Sequence, residues 1–156
     1  MLKLDNRRMV LASVAALAIA MPRIAIGETT AHELNTPFVT TMENPCTGEV
    51  VVIDGNLDII VHSTPDTSGG FHNKIHMASK GTGVAAGSFT QYVFSEEFDS
   101  ELTSAGATTQ TQTLNHFLTS AGASDNSFFK MTLHFTLNGT GVPTVDVGNI
   151  EGGCRG

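Results

Sequence analysis

Six histidines are the side chains of this sequence best suited to chemistry, because an imidazole can bind a metal ion or move a proton near neutral pH. They are His32, His62, His72, His76, His116 and His134. Several lie in segments where apolar and polar residues alternate, a pattern typical of β-strands. Their spacing along those strands therefore decides what each can reach.

That spacing disfavours a metal ion shared by two histidines of one strand. His72 and His76 share a strand face but lie about 13 Å apart at about 3.3 Å per residue, whereas a zinc–nitrogen bond is about 2 Å long. One possible hairpin register pairs His62 with His72, and it also sets Asp58 opposite His76. We expect cross-strand polar pairs on a hydrated sheet face. A metal or acid–base site built from His62, His72 and His134 is the weaker alternative.

His116 differs from the other histidines because its neighbours on the same strand face are apolar. It lies between Leu114 and Leu118 in the alternation, so its side chain is expected to point into the interior. A lone interior histidine is commonly a hydrogen-bonded core residue. If the interior holds a ligand, His116 is instead the best candidate for a catalytic acid or base.

Aromatic residues supply the material for an apolar interior, with nine phenylalanines and one tyrosine. Six of them are candidates for lining a ligand pocket: Phe89, Tyr92, Phe94, Phe117, Phe129 and Phe135. The same rings would equally fill the interior, since small barrels range from packed to ligand-holding. A filled core is the simpler expectation for a chain of this size.

Period-two alternation is the dominant pattern and predicts an all-β domain. Predicted strands cover 49–53, 57–62, 71–78, 87–94, 109–119, 128–137 and 142–147, with Gly-, Pro- and Asn-rich turns between them. Residues 95–102 are the best helix candidate and alternatively continue a strand. Pro143 indicates that the last strand lies at a sheet edge or a bulge.

The first 27 residues are typical of an export signal, with basic residues, a short apolar run and a small-residue cleavage site. Arg7 and Arg8 resemble the twin-arginine motif, although Asn6 and Val10 depart from it. An ordinary secretory signal is the alternative. Residues 28–45 are predicted to be an extended lead-in, and 46–156 a single β domain working in the periplasm or outside the cell.

The charge of the exported part argues against several partners. Residues 28–156 carry 4 basic and 14 acidic side chains, a net charge of −10, against −7 for the whole chain. Nucleic-acid binding requires clustered Lys and Arg, so we expect none. We also expect no stable membrane insertion after processing. No cofactor is expected.

Two cysteines bracket the predicted domain. Cys46 and Cys154 are separated by 108 positions, and in an oxidising compartment they are best interpreted as one disulfide. Two free thiols are the weaker interpretation, because neither cysteine belongs to a Cys-x-x-Cys pair.

Several short motifs carry a resemblance. They are Asn44-Pro45-Cys46-Thr47-Gly48-Glu49, His62-Ser63-Thr64-x-Asp66, Gly69-Gly70-x-His72, Lys80-Gly81-Thr82-Gly83 and Cys154-Arg155-Gly156. Together they resemble a group of small secreted bacterial β-rich proteins of uncharacterised activity, which implies export and a β-rich domain but no catalytic residue. In architecture alone, the chain is similar to small barrels such as lipocalins, dirigent proteins and allene oxide cyclases.

The expected fold is an antiparallel up-and-down β-barrel, lipocalin-like or allene-oxide-cyclase-like, with a β-sandwich as the second choice. The expected function is binding of a small apolar molecule. A cofactor-independent lyase, isomerase or cyclase is one alternative, and a structural envelope protein is another.

Overall fold

The computed structural model describes residues 28–66, 69–104, 107–122 and 126–155. The predicted export signal lies outside these residues. The described chain forms seven strands: β1 (Thr29–Glu43), β2 (Val50–Pro65), β3 (Phe71–Ala85), β4 (Gln91–Ser104), β5 (Thr108–Ser120), β6 (Asn126–Leu137) and β7 (Pro143–Arg155). The predicted all-β class is confirmed.

The seven strands form one antiparallel sheet in chain order, with each strand paired to the next. The predicted up-and-down arrangement is thus confirmed, and the single sheet differs from the two sheets of a β-sandwich. The prediction of a closed barrel is wrong, because within the described residues β1 pairs with β2 alone and β7 with β6 alone. Both edge strands are irregular. β1 has a register shift between Glu33 and Thr36, and β7 begins at Pro143, beside a second register shift between Thr136 and Leu137 of β6.

The sheet curls around one of its faces, here called the inner face. Phe38 of β1 and Phe94 of β4 pack edge to face with ring centroids 6.2 Å apart. The rings meet over Gly55 and Gly81, which lie between them in the register, and Val51, Ile53 and Leu118 of this face are fully buried although a single sheet forms it. The opposite face is here called the outer face.

A small core fills the inner face at one end of the sheet. It consists of Val51, Ile53, Ala85, Tyr92, Phe94 and Leu118, with Phe38 and Met42 packed against it. Gly55 and Gly81 are directly opposed across β2 and β3. A Cβ on Gly81 would overlap the backbone carbonyl oxygen of Asp54. These glycines therefore let the two strands bend sharply beneath the Phe38 and Phe94 rings.

The Asn44-Pro45-Cys46 segment organises the turn between β1 and β2 at this same end. The fully buried Asn44 donates from Nδ2 to the Tyr92 hydroxyl at 3.2 Å, and its Oδ1 accepts from the Cys46 amide at 2.9 Å. Gly48 continues the turn at a φ of 73°, a conformation that favours glycine. The role of this motif in the structure is to hold Cys46 in place.

The predicted disulfide between Cys46 and Cys154 is present, with Cα atoms 5.6 Å apart. It joins the β1–β2 turn to β7, so it connects the two edges of the open sheet at the end that holds the core. The opposite end of the sheet has no such fastening among the described residues.

Two segments have a more definite structure than the sequence predicted. Residues 28–45, predicted to be an extended lead-in, contain a full strand, since β1 pairs with β2 over most of its length. Residues 95–102 continue β4, which is the alternative predicted beside a helix. Pro143 lies at an edge strand beside a register shift, as predicted.

Candidate functional site

His116 and Glu96 form a pair on the inner face, immediately beside the core. They are opposed in the β4–β5 register, and His116 Nδ1 lies 3.0 Å from Glu96 Oε2. The His116 side chain is only 13% exposed, whereas that of Glu96 is 37% exposed. The inward orientation predicted for His116 is therefore what the structure shows.

The Glu96 carboxylate determines how the imidazole can act. An ionised carboxylate accepts hydrogen bonds but donates none, so His116 Nδ1 carries the hydrogen in this contact. In the neutral imidazole, Nε2 is then left with its lone pair free to accept a proton or a hydrogen bond. His116 Nε2 is buried and has no hydrogen-bond partner among the described residues.

Apolar groups surround this pair. The Phe94 ring packs edge to face with the His116 ring at 5.3 Å between centroids. Phe129 is opposite His116 in the β5–β6 register, and Leu114 and Leu118 flank it on β5. A polar group that met Nε2 here would be held in a mostly apolar setting, where a hydrogen bond has more influence on binding than in water.

Away from the core, the inner face carries a half-buried apolar surface, here called the inner trough. Its members come from β2 to β6 and alternate with outer-face residues. They are Leu57, Ile59, Val61, Ile75, Met77, Phe98, Leu102, Leu114, Leu133 and Phe135. The Glu96–His116 pair lies between the fully buried core and this trough.

The six aromatic candidates are divided among four places: the core, the inner face beyond it, the outer face and the turn before β4. Tyr92 and Phe94 are buried in the core, and Phe129 and Phe135 are half-buried on the inner face. Phe117 lies on the outer face, with Lys130 Nζ 5.8 Å from its ring centroid. Phe89 lies in the turn before β4 and is 74% exposed. The last two are thus separate from the trough.

The outer-face histidines form cross-strand polar pairs. His62 contacts Thr30 at 2.9 Å, His72 contacts Thr103 at 2.7 Å, and His134 contacts Thr111 at 2.8 Å. In each pair the ring Nδ1 meets a threonine hydroxyl. Within the described residues, these three histidines form no common metal-binding group.

The hairpin register suggested for His62 and His72 is wrong. His62 is opposite Lys74, and Thr64 is opposite His72. The difference is a shift of two residues, which keeps every side chain on its face while changing its partner. In the observed register Asp58 is opposite Ala78 rather than His76. Its carboxylate instead accepts a hydrogen bond from the backbone amide of Asn35 on β1.

Glu96 was missed by the sequence interpretation because it lies in the segment read as a helix candidate. The signal was nevertheless present: read as a strand, residues 94–98 place Glu96 on the same face as Phe94 and Phe98. A charged residue between two inward aromatic residues predicts a partner in the interior.

A separate groove of about 360 Å³ lies at the core end of β3, β4 and β5, lined by Thr82, Gln91, Tyr92 and Ser120 among others. It does not include His116. In the part of the chain that the structure describes, no helix has the length and apolar character of a membrane span.

Comparison with known proteins leaves the site to be interpreted from its geometry. No protein-family model matches the chain, and no significant similarity to curated proteins or to solved structures was found.

Proposed function

We propose that this protein binds a small, mostly apolar molecule in the inner trough, with its polar group hydrogen-bonded to His116 Nε2. The observation that carries the proposal is the state of His116: Nδ1 is held by Glu96, while Nε2 is buried without a partner among the described residues. Buried polar atoms in native proteins are nearly always hydrogen-bonded, so such an atom needs an explanation. A ligand that donates to Nε2, reached when the neighbouring side chains move aside, supplies one.

The half-buried trough supports the same proposal. Apolar side chains of five neighbouring strands remain partly exposed on a curved surface, rather than being covered by a second layer. A concave surface of partly exposed apolar side chains with a polar group at its margin is the kind of surface that small apolar ligands use. Covering it with an apolar ligand would release about 25 cal/mol per Å².

We further propose that binding takes place outside the cytoplasm, in the periplasm or beyond the cell. The Cys46–Cys154 disulfide supports an oxidising compartment. The export-type pattern of residues 1–27 and the resemblance to small secreted proteins support the same location.

The experiment is a fluorescence titration with the neutral apolar probe N-phenyl-1-naphthylamine, which also carries an N–H donor. Ile75→Thr removes apolar surface from the trough, and Ile60→Thr makes the same change at an equally half-buried position of the outer face. We expect saturable binding that Ile75→Thr weakens by about tenfold and Ile60→Thr leaves unchanged. Absence of saturable binding would contradict the proposal and favour the structural role in the envelope.

A second candidate function, a cofactor-independent lyase or isomerase, is favoured by the carboxylate behind the imidazole. His116 Nε2 would take a proton from a carbon next to a ligand carbonyl, and Glu96 would stabilise the imidazolium that forms. The proton then returns to the ligand from the same nitrogen.

An apolar ketone such as 2-undecanone in D₂O tests this candidate, because reversible proton transfer incorporates deuterium beside the carbonyl. Mass spectrometry should show incorporation faster than in buffer alone, with loss of that rate in His116→Gln even at saturating ketone. Equal rates for His116→Gln and the unmodified protein would exclude His116 as the base.

A further inference from the structure

A second group of titratable side chains lies on the outer face, away from the inner trough. His76 of β3 is directly opposite Asp99 of β4, and Glu97, two residues before Asp99, lies on the same face of β4. His76 Nδ1 lies 2.8 Å from Asp99 Oδ1. One donor atom from each of the three residues lies within 4.8 Å of the other two.

This donor set has the chemistry of a divalent metal site. One imidazole and two carboxylates suit a borderline cation such as Zn²⁺ better than Mg²⁺ or Ca²⁺, which prefer oxygen ligands alone. Zinc bonds of about 2.0 to 2.2 Å place two ligand atoms about 3.4 Å apart in tetrahedral geometry, so the 2.8 Å contact between His76 and Asp99 must open slightly and the more distant donors must approach. The carboxylates end flexible side chains, with that of Asp99 51% exposed, so a small approach is readily made.

The surroundings of the group leave it open on one side. A groove of about 340 Å³ is lined by both His76 and Glu97, together with Lys80, Asn115 and Phe117 of the outer face and with Glu96. Three protein ligands with a fourth position open to a groove is the arrangement of a zinc site that also binds water or a small ligand.

Neighbouring charges distinguish the His76–Glu97–Asp99 group from the next carboxylate on the same face of β4. The next carboxylate along β4, Glu101, lies 3.5 Å from Lys74 Nζ and 3.3 Å from His72 Nε2. It is therefore balanced by an ammonium group. The His76–Glu97–Asp99 group has two carboxylates facing one imidazole, and a cation would relieve the repulsion between them.

We propose that His76, Glu97 and Asp99 bind one Zn²⁺ ion on the outer face, with the adjacent groove supplying access to its remaining coordination position. The site is independent of the inner trough and of the ligand proposed for it. It is also distinct from any site made of His62, His72 and His134, each of which is paired with a threonine.

Isothermal titration of the metal-free, oxidised full chain with ZnCl₂ tests the proposal. We expect one saturable site that His76→Ala or Asp99→Asn weakens by more than about tenfold, since even outer partners of a metal contribute about 10- to 100-fold. His72→Ala is the matched control, because it removes a histidine of the same strand face that also contacts a carboxylate. It should leave the affinity unchanged.

Three results would overturn the proposal. One is the absence of saturable Zn²⁺ binding by the unmodified chain. Another is equal loss of affinity in His72→Ala and His76→Ala, which would show diffuse attraction of cations to an acidic surface. The third is full affinity in both His76→Ala and Asp99→Asn. Unchanged circular dichroism of each variant shows that it has folded, and Asp99→Asn keeps the side-chain volume if His76→Ala does not fold.

Discussion

Glu96 and His116 face each other across β4 and β5, with 3.0 Å between carboxylate and imidazole, at the boundary between a packed core and a half-exposed apolar surface. The carboxylate fixes which imidazole nitrogen carries the hydrogen and leaves the other facing apolar side chains. This is an arrangement that positions a hydrogen-bond acceptor or a base. It follows directly from one cross-strand pair on the inner face.

Removing the carboxylate should destabilise the fold modestly. Glu96→Ala leaves a mostly buried imidazole without its partner, and we expect a loss of about 1 kcal/mol in the free energy of unfolding by urea, since Glu96 itself is partly exposed to solvent. Glu97→Ala, its outward-facing neighbour, is the control in metal-free buffer and should change stability by less than about 0.5 kcal/mol. Equal losses in the two variants would contradict a specific Glu96–His116 contact.

The disulfide should contribute a large part of the stability. Closing a loop over 108 positions is worth about 4 to 5 kcal/mol in the chain-entropy model. The Cys46→Ala/Cys154→Ala double variant should therefore unfold at a much lower urea concentration than the oxidised protein. Reduced wild type serves as the control and should behave like the double variant. A midpoint unchanged by either treatment would show that the fastening of β7 to the β1–β2 turn contributes little.

Gly81 should tolerate no side chain, because an added Cβ meets the backbone of Asp54 rather than a flexible group. Gly81→Ala is expected to cost about 1 to 3 kcal/mol, the usual range for overpacking. Gly122→Ala is the matched control, since a Cβ there meets no atom within 4 Å. Thermal unfolding of the two variants compares them directly, and a neutral Gly81→Ala would mean that β2 and β3 separate easily at this point.

The strands and their faces were largely predictable from the sequence. Alternation places His116 with Leu114 and Leu118, and the structure keeps that assignment because period two survives any register. The pairing of Cys46 with Cys154 was predictable because the sequence has two cysteines. The edge position of Pro143 was predictable because proline has no amide hydrogen to donate to a neighbouring strand.

The β2–β3 register and the open edges of the sheet were not predictable from the alternation of apolar and polar residues. The partner of His62 depends on how many residues the β2–β3 connection uses, and a shift of two leaves the pattern of faces unaltered. The sequence of residues 29–43 shows no clear alternation, because β1 is an edge strand with mostly exposed side chains. Barrel closure depends on the curl of the whole sheet, which no single segment encodes.

The proximity of His76, Glu97 and Asp99 was unpredictable for the same reason. His76 was recognised as an outward residue, but Glu97 and Asp99 belong to a segment whose period was ambiguous. Their approach to His76 depends on the β3–β4 register. Sequence spacing tests ligands within one strand, whereas this group is assembled from two.

The proposed function requires the apolar molecule to bind at the inner face and not at the outer face. Two-dimensional methyl NMR during titration with N-phenyl-1-naphthylamine distinguishes the two, because single methyl groups report on each face. We expect shifts for the inner-face methyl groups of Ile75 and Leu114, with those of Ile60 and Val84 on the outer face unchanged. Shifts confined to Ile60 and Val84, or no shifts at saturating probe, would contradict it.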